Sequence, residues 1–296
     1  MRRVSAAELG YLPLEVGILE SSSGPGIYAM ISAFLDASRK GRALTVAITA
    51  FRGGKAQKAT KEWVGLWGAT ICHMTDLDAQ EGDFKGWGRQ AWDYLKESVQ
   101  IADRNAAYAV AASIDLDEFE RLGPKEVSKE RRVFMDAYRK PYAFCSHCAM
   151  FTLGEVMRQE RSNQRVHYWI EKGDDYQGQM LQFVDLVSKD KHLSSLYSIQ
   201  SHRAVEKKDA RLLESADILA WEWNKHVLRK EDDHHVRKSM RALLKADDMD
   251  LVGKLLVKNK TRYAVHYHGP AIEKHMRWAS EWFPASSRQK GALVAQ

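Results

Sequence analysis

The stretch ISAFLDASRKG, residues 31–41, is an apolar run interrupted by a carboxylate. Residues 31–35 have the aliphatic and aromatic composition of a buried β-strand. Asp36 follows directly, and small and basic residues come after it. A buried carboxylate is unfavourable unless it is paired or bound to a metal. Asp36 is therefore either a turn residue that caps the strand or a member of a functional site.

Length and composition indicate a globular protein. The chain has 296 residues, 45% of them hydrophobic, which is enough for one large domain with a substantial core. No apolar run approaches the roughly 18 residues of a transmembrane helix, and no signal-peptide pattern follows the first residues. Three cysteines, an odd number, argue against a disulfide framework. We expect a soluble, cytoplasmic protein that does not contact membranes.

The basic excess of the chain lies near its C-terminus. The formal net charge is +6, and residues 229–296 contain 14 Lys and Arg against 8 Asp and Glu, which accounts for all of it. Such a region can attract an anionic partner such as DNA or RNA. A solvated helical surface explains the same charge, so the charge alone leaves both interpretations open.

Strand-like and helix-like runs alternate after two closely spaced strands. Runs rich in β-branched and aromatic residues predict strands at 31–36, 43–51, 69–74, 107–116, 165–171 and 195–201. Apolar residues spaced by three and four predict helices at 55–67, 86–104, 141–160, 177–190 and 209–228. This order predicts an α/β domain with a mixed sheet flanked by helices.

The chain divides into three regions. Residues 1–29 contain the turn-forming SSSGPG and look unlike the rest, so we expect an extension that is disordered or stems from the choice of start site. Residues 30–228 form the main domain. Residues 229–296 are expected to form a small, mostly helical appendage. Its predicted elements are helices at 236–246 and 270–282 and a short strand at RYAVHYH.

Three further acids and a histidine occupy unusual positions. Glu171 ends a strongly strand-like run, where α/β proteins place their chemistry. Asp217 lies inside the border of the apolar stripe of the helix predicted at 209–228, while Glu214 and Glu222 fit the solvent side of that helix. His73 and Asp76 end the short strand predicted at 69–74. Each of these side chains also has an ordinary explanation, as a solvated strand end, a buried ion pair or a backbone hydrogen bond.

One chemical interpretation covers Asp36, Glu171 and Asp217 together. Carboxylates that converge repel one another and raise each other's pKa, and a divalent cation relieves this repulsion. Mg²⁺ or Mn²⁺ prefers oxygen ligands and keeps positions open for water and phosphate. Two such ions about 4 Å apart can promote cleavage of a phosphodiester bond. The spacing of the three acids along the chain does not establish that they converge.

Four short segments, in order, resemble the bacterial and phage family called domain of unknown function 3800. They are SAFLDAS (32–38), CHMTDLDAQEGDFKGW (72–87), HYWIEKGD (167–174) and LLESADILAWEW (212–223). The resemblance spans about residues 30–245 and implies a ribonuclease-H-like fold. In that fold one acid comes from the first strand, one from a later strand and one from the last core helix. The resemblance assigns these places to Asp36, Glu171 and Asp217, and the family's His–Asp stretch to His73 and Asp76.

The chain departs from the family pattern at three positions. Ala37 stands where the family has an acidic residue, and Arg39 replaces the glycine that follows Ser38 in the pattern. Glu214 replaces a glutamine at the start of the helix motif. These changes leave the three acids intact and are compatible with a modified or weakened site.

Other motifs favour ordinary structural roles. Cys145 and Cys148 form a C-x-x-C arrangement around His147, but structural zinc sites normally have four ligands, and an apolar helix with buried thiols explains the motif. His234 and His235 are adjacent and make a poor chelate. His266 and His268 share a strand face that lines a groove or a solvated edge. Lys207 and Lys208 are candidates for contact with a phosphate backbone, with a solvated loop as the alternative.

The sequence supports a first hypothesis of a nuclease or related phosphoryl-transfer enzyme that depends on Mg²⁺ or Mn²⁺. Asp36, Glu171 and Asp217 would bind the metal, and His73 or Asp76 would support them or carry protons. A second hypothesis is a non-catalytic module on the same fold that binds nucleic acid, a protein partner or a second copy, in phage defence or counter-defence. A third is a phosphohydrolase acting on nucleotides.

Overall fold

The structure, a computed structural model, describes residues 30–122, 138–172, 177–228, 238–244, 256–259, 261–267 and 269–282. Within these ranges the chain is an α/β protein built on one seven-stranded sheet. The strands are β1 (Ile31–Lys40), β2 (Ala43–Arg52), β3 (Tyr108–Asp115), β4 (Val166–Glu171), β5 (Ile199–Val205), β6 (Leu256–Asn259) and β7 (Arg262–Tyr267). The extension 1–29 and the histidines at 234, 235 and 268 lie outside the described residues.

Helices connect and flank the strands. They are α1 (Gly53–Trp67), α2 (Met74–Ala79), α3 (Arg89–Asn105), α4 (Leu116–Leu122), α5 (Pro141–Gln159), α6 (Gln177–Lys189), α7 (Lys191–Leu196), α8 (Leu213–Val227), α9 (Lys238–Leu244) and α10 (Gly269–Trp282). Among the described residues, no helix combines the length and the apolar character that a membrane span requires.

The sheet mixes antiparallel and parallel pairs in the order β5-β4-β1-β2-β3-β7-β6. β1, β2 and β3 form an antiparallel meander. β4 lies parallel to β1, and β5 lies parallel to β4. On the other side β7 is parallel to β3 and antiparallel to β6. The prediction of a mixed sheet flanked by helices is confirmed.

Alternate residues of the central strands face two separate cores, because successive side chains of a strand point to opposite faces of the sheet. Ile31, Ala33 and Leu35 pack on one face, in a core shared with α4, α5, α6 and α10. Phe34 and Ala47 pack on the other face, in a core shared with α1, α3, α8 and α9. The sheet is therefore covered by helices on both faces.

Helix α8 packs against the sheet and is buried along most of its length. Every residue from 213 to 224 is buried, so this helix has no solvent side over that stretch. Its polar side chains find partners on β2: Thr49 and Ser215 share a hydrogen bond of 2.6 Å, and Thr45 donates to the Asn224 amide oxygen at 2.5 Å. Asn224 also donates to the carbonyl of Ser38.

One predicted strand and two predicted strand boundaries are wrong. Residues 69–74 form a loop that leads into α2, because buried side chains rather than a neighbouring strand bind its backbone. The strand predicted at 195–201 begins at Ile199, since α7 occupies the residues before Tyr197. β1 continues past Asp36 to Lys40 by pairing with β2, so Asp36 is not at a strand end.

The C-terminal region contributes to the sheet and its core. β7 pairs with β3, with Ala111 opposite Ala264, and β6 adds a further strand beyond it. Ile272 and Met276 of α10 are buried in the core that contains α5. We expected a mostly helical appendage here, whereas the described parts of the region extend the main sheet. The short pattern RYAVHYH predicts a strand but does not identify its partner, which only the packing determines.

A buried glycine sets the distance between α5 and α7. A Cβ added at Gly154 would lie 2.4 Å from the carbonyl oxygen of Leu196, which is far inside van der Waals contact. The same carbonyl accepts a hydrogen bond from Arg158. The backbone of α7 therefore packs directly on α5 at this position.

We predict that Gly154→Ala lowers the free energy of unfolding by about 1–3 kcal/mol, since α7 must move or its hydrogen bonds distort. Gly65→Ala is the matched control, because Gly65 is also helical but has nothing within 4 Å of its added Cβ. The control should raise the free energy of unfolding by about 0.5–1 kcal/mol through helix propensity. Urea titration of both variants measures the difference; equal effects would contradict this packing.

Candidate functional site

Three carboxylates meet around one buried ammonium group. The Lys207 Nζ lies 2.8 Å from an Asp217 oxygen, 3.0 Å from an Asp36 oxygen and 3.2 Å from a Glu171 oxygen. His73 Nδ1 is 3.2 Å from the same nitrogen. The Lys207 side chain is 5% exposed, and that of Asp36 is 2% exposed. We call these five residues the carboxylate cluster.

The sheet topology brings the first two acids together. β1 and β4 are parallel neighbours, and their pairing ends where Leu35 lies opposite Ile170. Asp36 and Glu171 are the next residues on the two strands, so their side chains share one face. α8 crosses the same face of the sheet and supplies Asp217 from above. The three acids predicted from the sequence therefore converge in space.

Lys207 joins the cluster from the segment that follows β5. β5 lies parallel to β4, with Val205 opposite Glu171, so the chain leaving β5 passes over the acids. The sequence interpretation treats Lys207 as a surface residue for phosphate contact, whereas the structure places it inside the cluster. Lys208, its neighbour, is exposed and forms an ion pair of 2.6 Å with Glu206. The signal for Lys207 was its position just beyond a strand of a parallel pair, where strand ends gather side chains.

The cluster is short of positive charge. Burial raises the pKa of Asp36 well above its usual value, and the attraction of Lys207 only partly offsets this effect, while a hydrogen bond with Glu171 raises the pKa further. Burial also raises the pKa of Asp217, again against the attraction of Lys207. Burial lowers the pKa of Lys207 more than any other single influence, but the three carboxylates together hold it well above its usual value. Lys207 is therefore an ammonium ion.

The two oxygens of the Asp36 carboxylate have different neighbours. One oxygen accepts a hydrogen bond of 2.7 Å from the backbone N–H of Ala37. The other oxygen is buried and lies 3.0 Å from the Lys207 nitrogen. An ammonium group has three protons, and Lys207 has four close neighbours in the cluster. The buried Asp36 oxygen is therefore one of several acceptors that share the protons of Lys207.

Helix α8 also organises the loop predicted as a strand at 69–74. Asp217 accepts a hydrogen bond of 3.2 Å from the Met74 backbone N–H. Glu214 accepts from the Cys72 backbone N–H at 2.9 Å and forms an ion pair with Arg211. In a β-strand these backbone N–H groups would donate to a neighbouring strand. Here they donate to the two carboxylates instead. The loop therefore delivers His73 to the cluster.

The expectation that Glu214 and Glu222 face solvent is wrong, because both are fully buried. Glu214 binds the Trp63 indole in addition to its other partners, and Glu222 accepts a hydrogen bond from Ser239 of α9. The amphipathic pattern of α8 failed here because a layer of helices covers the face that the pattern assigns to water. Arg211 and α9 supply the polar partners that water would otherwise provide.

Asp76 does not share the contacts of the cluster. It lies in the first turn of α2, three residues after His73. Among the described residues, the ion pairs and hydrogen bonds of the cluster do not include its carboxylate. Of the predicted His–Asp pair, the structure brings only the histidine to Lys207.

The other motifs lie elsewhere. Cys145 and Cys148 are free and buried in α5, on the opposite face of the sheet from the carboxylate cluster. His266 is bonded to Ser113, at 2.9 Å, and β7 is an internal strand rather than a solvated edge. Ala37 packs against the core that contains α5, and Arg39 is exposed.

We predict that Lys207→Met lowers the free energy of unfolding by about 3–5 kcal/mol in EDTA, because three buried carboxylates lose their cation. Added Mn²⁺ should restore much of this loss, since a divalent ion can replace the ammonium charge. Lys208→Met is the matched control; it is exposed and should change little under either condition. Chemical denaturation with and without Mn²⁺ gives both numbers. A Lys207→Met variant as stable as the control would contradict the electrostatic role of Lys207.

Comparisons with known proteins identified no relative. The chain matches no protein-family model, no curated protein and no solved structure.

Proposed function

We propose that this chain is a divalent-metal-dependent nuclease, or a related phosphoryl-transfer enzyme acting on nucleic acid. The observation that carries the proposal is the convergence of Asp36, Glu171 and Asp217 within 3.2 Å of one point, the Lys207 nitrogen. Each acid comes from a different element of the fold. Packing for stability alone gives no reason to gather three carboxylates in a buried place.

The donor set fits Mg²⁺ or Mn²⁺. Both ions prefer carboxylate oxygens, and the cluster offers three carboxylates beside one ammonium group. Asp36, Glu171 and Asp217 would hold the metal. When bound, such an ion acts as a Lewis acid and lowers the pKa of water, which are the two requirements of phosphodiester hydrolysis.

The residues of the chain have distinct roles in this proposal. Lys207 is an ammonium ion beside the acids, so it can stabilise negative charge that develops on a phosphate oxygen. His73 lies against Lys207 at 3.2 Å and is only partly buried, so it can pass a proton between the cluster and solvent. Asp76, one turn into α2, is a weaker candidate for the same role.

The proposed substrate class rests on charge and on resemblance. A ribonuclease-H-like fold of the domain of unknown function 3800 family would place acids on a first strand, a later strand and a core helix. Asp36 on β1, Glu171 on β4 and Asp217 on α8 occupy elements of those kinds, which supports the resemblance. Lys208 follows Lys207 in the chain, and its side chain is 65% exposed, so it can contact a phosphate backbone. The basic residues of 229–296 would add attraction for DNA or RNA.

One observation favours a second candidate, a non-catalytic module that binds nucleic acid or a protein partner. The Lys207 ammonium already contacts all three carboxylates, so it can hold the cluster together as a structural ion network. Ala37 and Arg39, which depart from the family pattern, are compatible with a site that has lost catalytic activity. In this case acid substitutions would alter stability but leave binding of nucleic acid unchanged.

We predict that the purified chain cleaves labelled DNA or RNA in Mn²⁺, and that EDTA abolishes the cleavage. Asp36→Asn should reduce the rate by on the order of 10²-fold or more, because the metal loses a charged ligand. Asp185→Asn is the control, since Asp185 is an exposed carboxylate outside the cluster. Single- and double-stranded substrates of both nucleic acids should be compared.

Two results would count against the nuclease. Cleavage that survives Asp36→Asn or EDTA would place the chemistry elsewhere. Tight nucleic-acid binding without cleavage, equal in the wild type and Asp36→Asn, would favour the binding module. Mononucleotides in the same assay test the phosphohydrolase alternative.

A further inference from the structure

A second group of metal-ligating side chains lies on the opposite face of the sheet. His147 and Cys148 of α5 meet His275 of α10, and one donor atom from each lies within 4.8 Å of the other two. We propose that these three residues form a binding site for a transition-metal ion of the zinc class. The site is independent of the carboxylate cluster and of the activity proposed for it.

The donors select a different metal from the carboxylates. One thiolate and two imidazoles suit Zn²⁺ and its spectroscopic substitute Co²⁺, whereas Mg²⁺ and Mn²⁺ prefer oxygen. The spacing of the C-x-x-C motif suggests that both cysteines bind one metal, but only Cys148 belongs to this site. Cys145, one turn before Cys148, points to the backbone of β2, with its sulfur 3.8 Å from the Leu44 carbonyl oxygen. The third ligand comes instead from a helix about 130 residues further along the chain.

The distances are compatible with metal binding after a small closure. Zinc–nitrogen bonds of about 2.0–2.1 Å and zinc–sulfur bonds of about 2.3 Å place tetrahedral ligand atoms roughly 3.3–3.7 Å apart. Donors within 4.8 Å of one another need to approach by about 1 Å, which side-chain rotation can supply. Three protein ligands leave the fourth tetrahedral position to water.

The surroundings hold the ligands in place. His147 Nδ1 is hydrogen bonded to the Tyr197 hydroxyl at 2.5 Å. A metal on the other ring nitrogen would keep this bond, and metal-binding histidines usually have such a partner, which fixes the ring. The aromatic rings of Tyr138, Phe151 and Tyr267 pack around the two imidazoles. These ring contacts restrict the rotation of both imidazoles.

The three ligands differ in their exposure to solvent. His275 is partly buried, whereas His147 and Cys148 on α5 are fully buried. Burial holds the pKa of the Cys148 thiol well above its usual value, so a bound metal must displace the thiol proton.

The test uses the full chain, stripped with a chelator and then titrated with Co²⁺ under reducing conditions. We expect one equivalent to bind and to produce a thiolate-to-cobalt charge-transfer band, which Zn²⁺ should displace. Cys148→Ser should abolish the band, and His275→Gln should weaken Co²⁺ binding by about tenfold or more. Cys145→Ser is the matched control on the same buried helix and should keep the band. Asp36→Asn should keep it as well, which separates this site from the carboxylate cluster.

Thermal unfolding with Zn²⁺ provides a second readout that does not depend on cobalt. Zn²⁺ should raise the melting temperature of the wild type and of Cys145→Ser but not of Cys148→Ser, with circular dichroism to confirm that each variant is folded. A folded wild type without a charge-transfer band would overturn the proposal. So would a band that persists in Cys148→Ser.

Discussion

Three carboxylates cannot be buried together without a cation, and this constraint connects the main elements of the fold. β1 positions Asp36, and its parallel neighbour β4 positions Glu171. Helix α8, which crosses the same face of the sheet, positions Asp217. Lys207 supplies the positive charge from the segment after β5, at 2.8–3.2 Å from all three. The site thus exists only when strands and helix from distant parts of the chain are assembled. Three carboxylates beside one ammonium group leave excess negative charge, which a divalent cation could neutralise.

Helix α8 imposes a second constraint, since its polar residues lie where water cannot reach them. Buried polar groups need hydrogen bonds, and several polar residues of α8 find them on two neighbouring segments. Ser215 and Asn224 bind β2, whereas Glu214 and Asp217 bind the backbone of the loop before α2. The helix therefore positions the loop, and the loop positions His73. Packing and the candidate chemistry depend on the same side chains.

The two faces of the sheet carry different chemistry. Oxygen donors and an ammonium group gather on the face covered by α8. Nitrogen and sulfur donors, His147, Cys148 and His275, gather beneath aromatic rings on the face covered by α5. Hard and soft metal ions would therefore be separated by the thickness of the sheet, so occupancy of one group does not imply occupancy of the other.

The sequence by itself determined the α/β class, most strand and helix positions, and the candidate acids Asp36, Glu171 and Asp217. Local patterns carry this information, because burial and periodicity are properties of neighbouring residues. The tertiary structure alone decided that Lys207 lies among those acids, that Glu214 is buried, and that β7 joins the sheet. The tertiary structure also decided that residues 69–74 form a loop. These features depend on which distant segments meet, since a lysine, a glutamate or a short apolar run has the same local pattern in water and beside a buried partner.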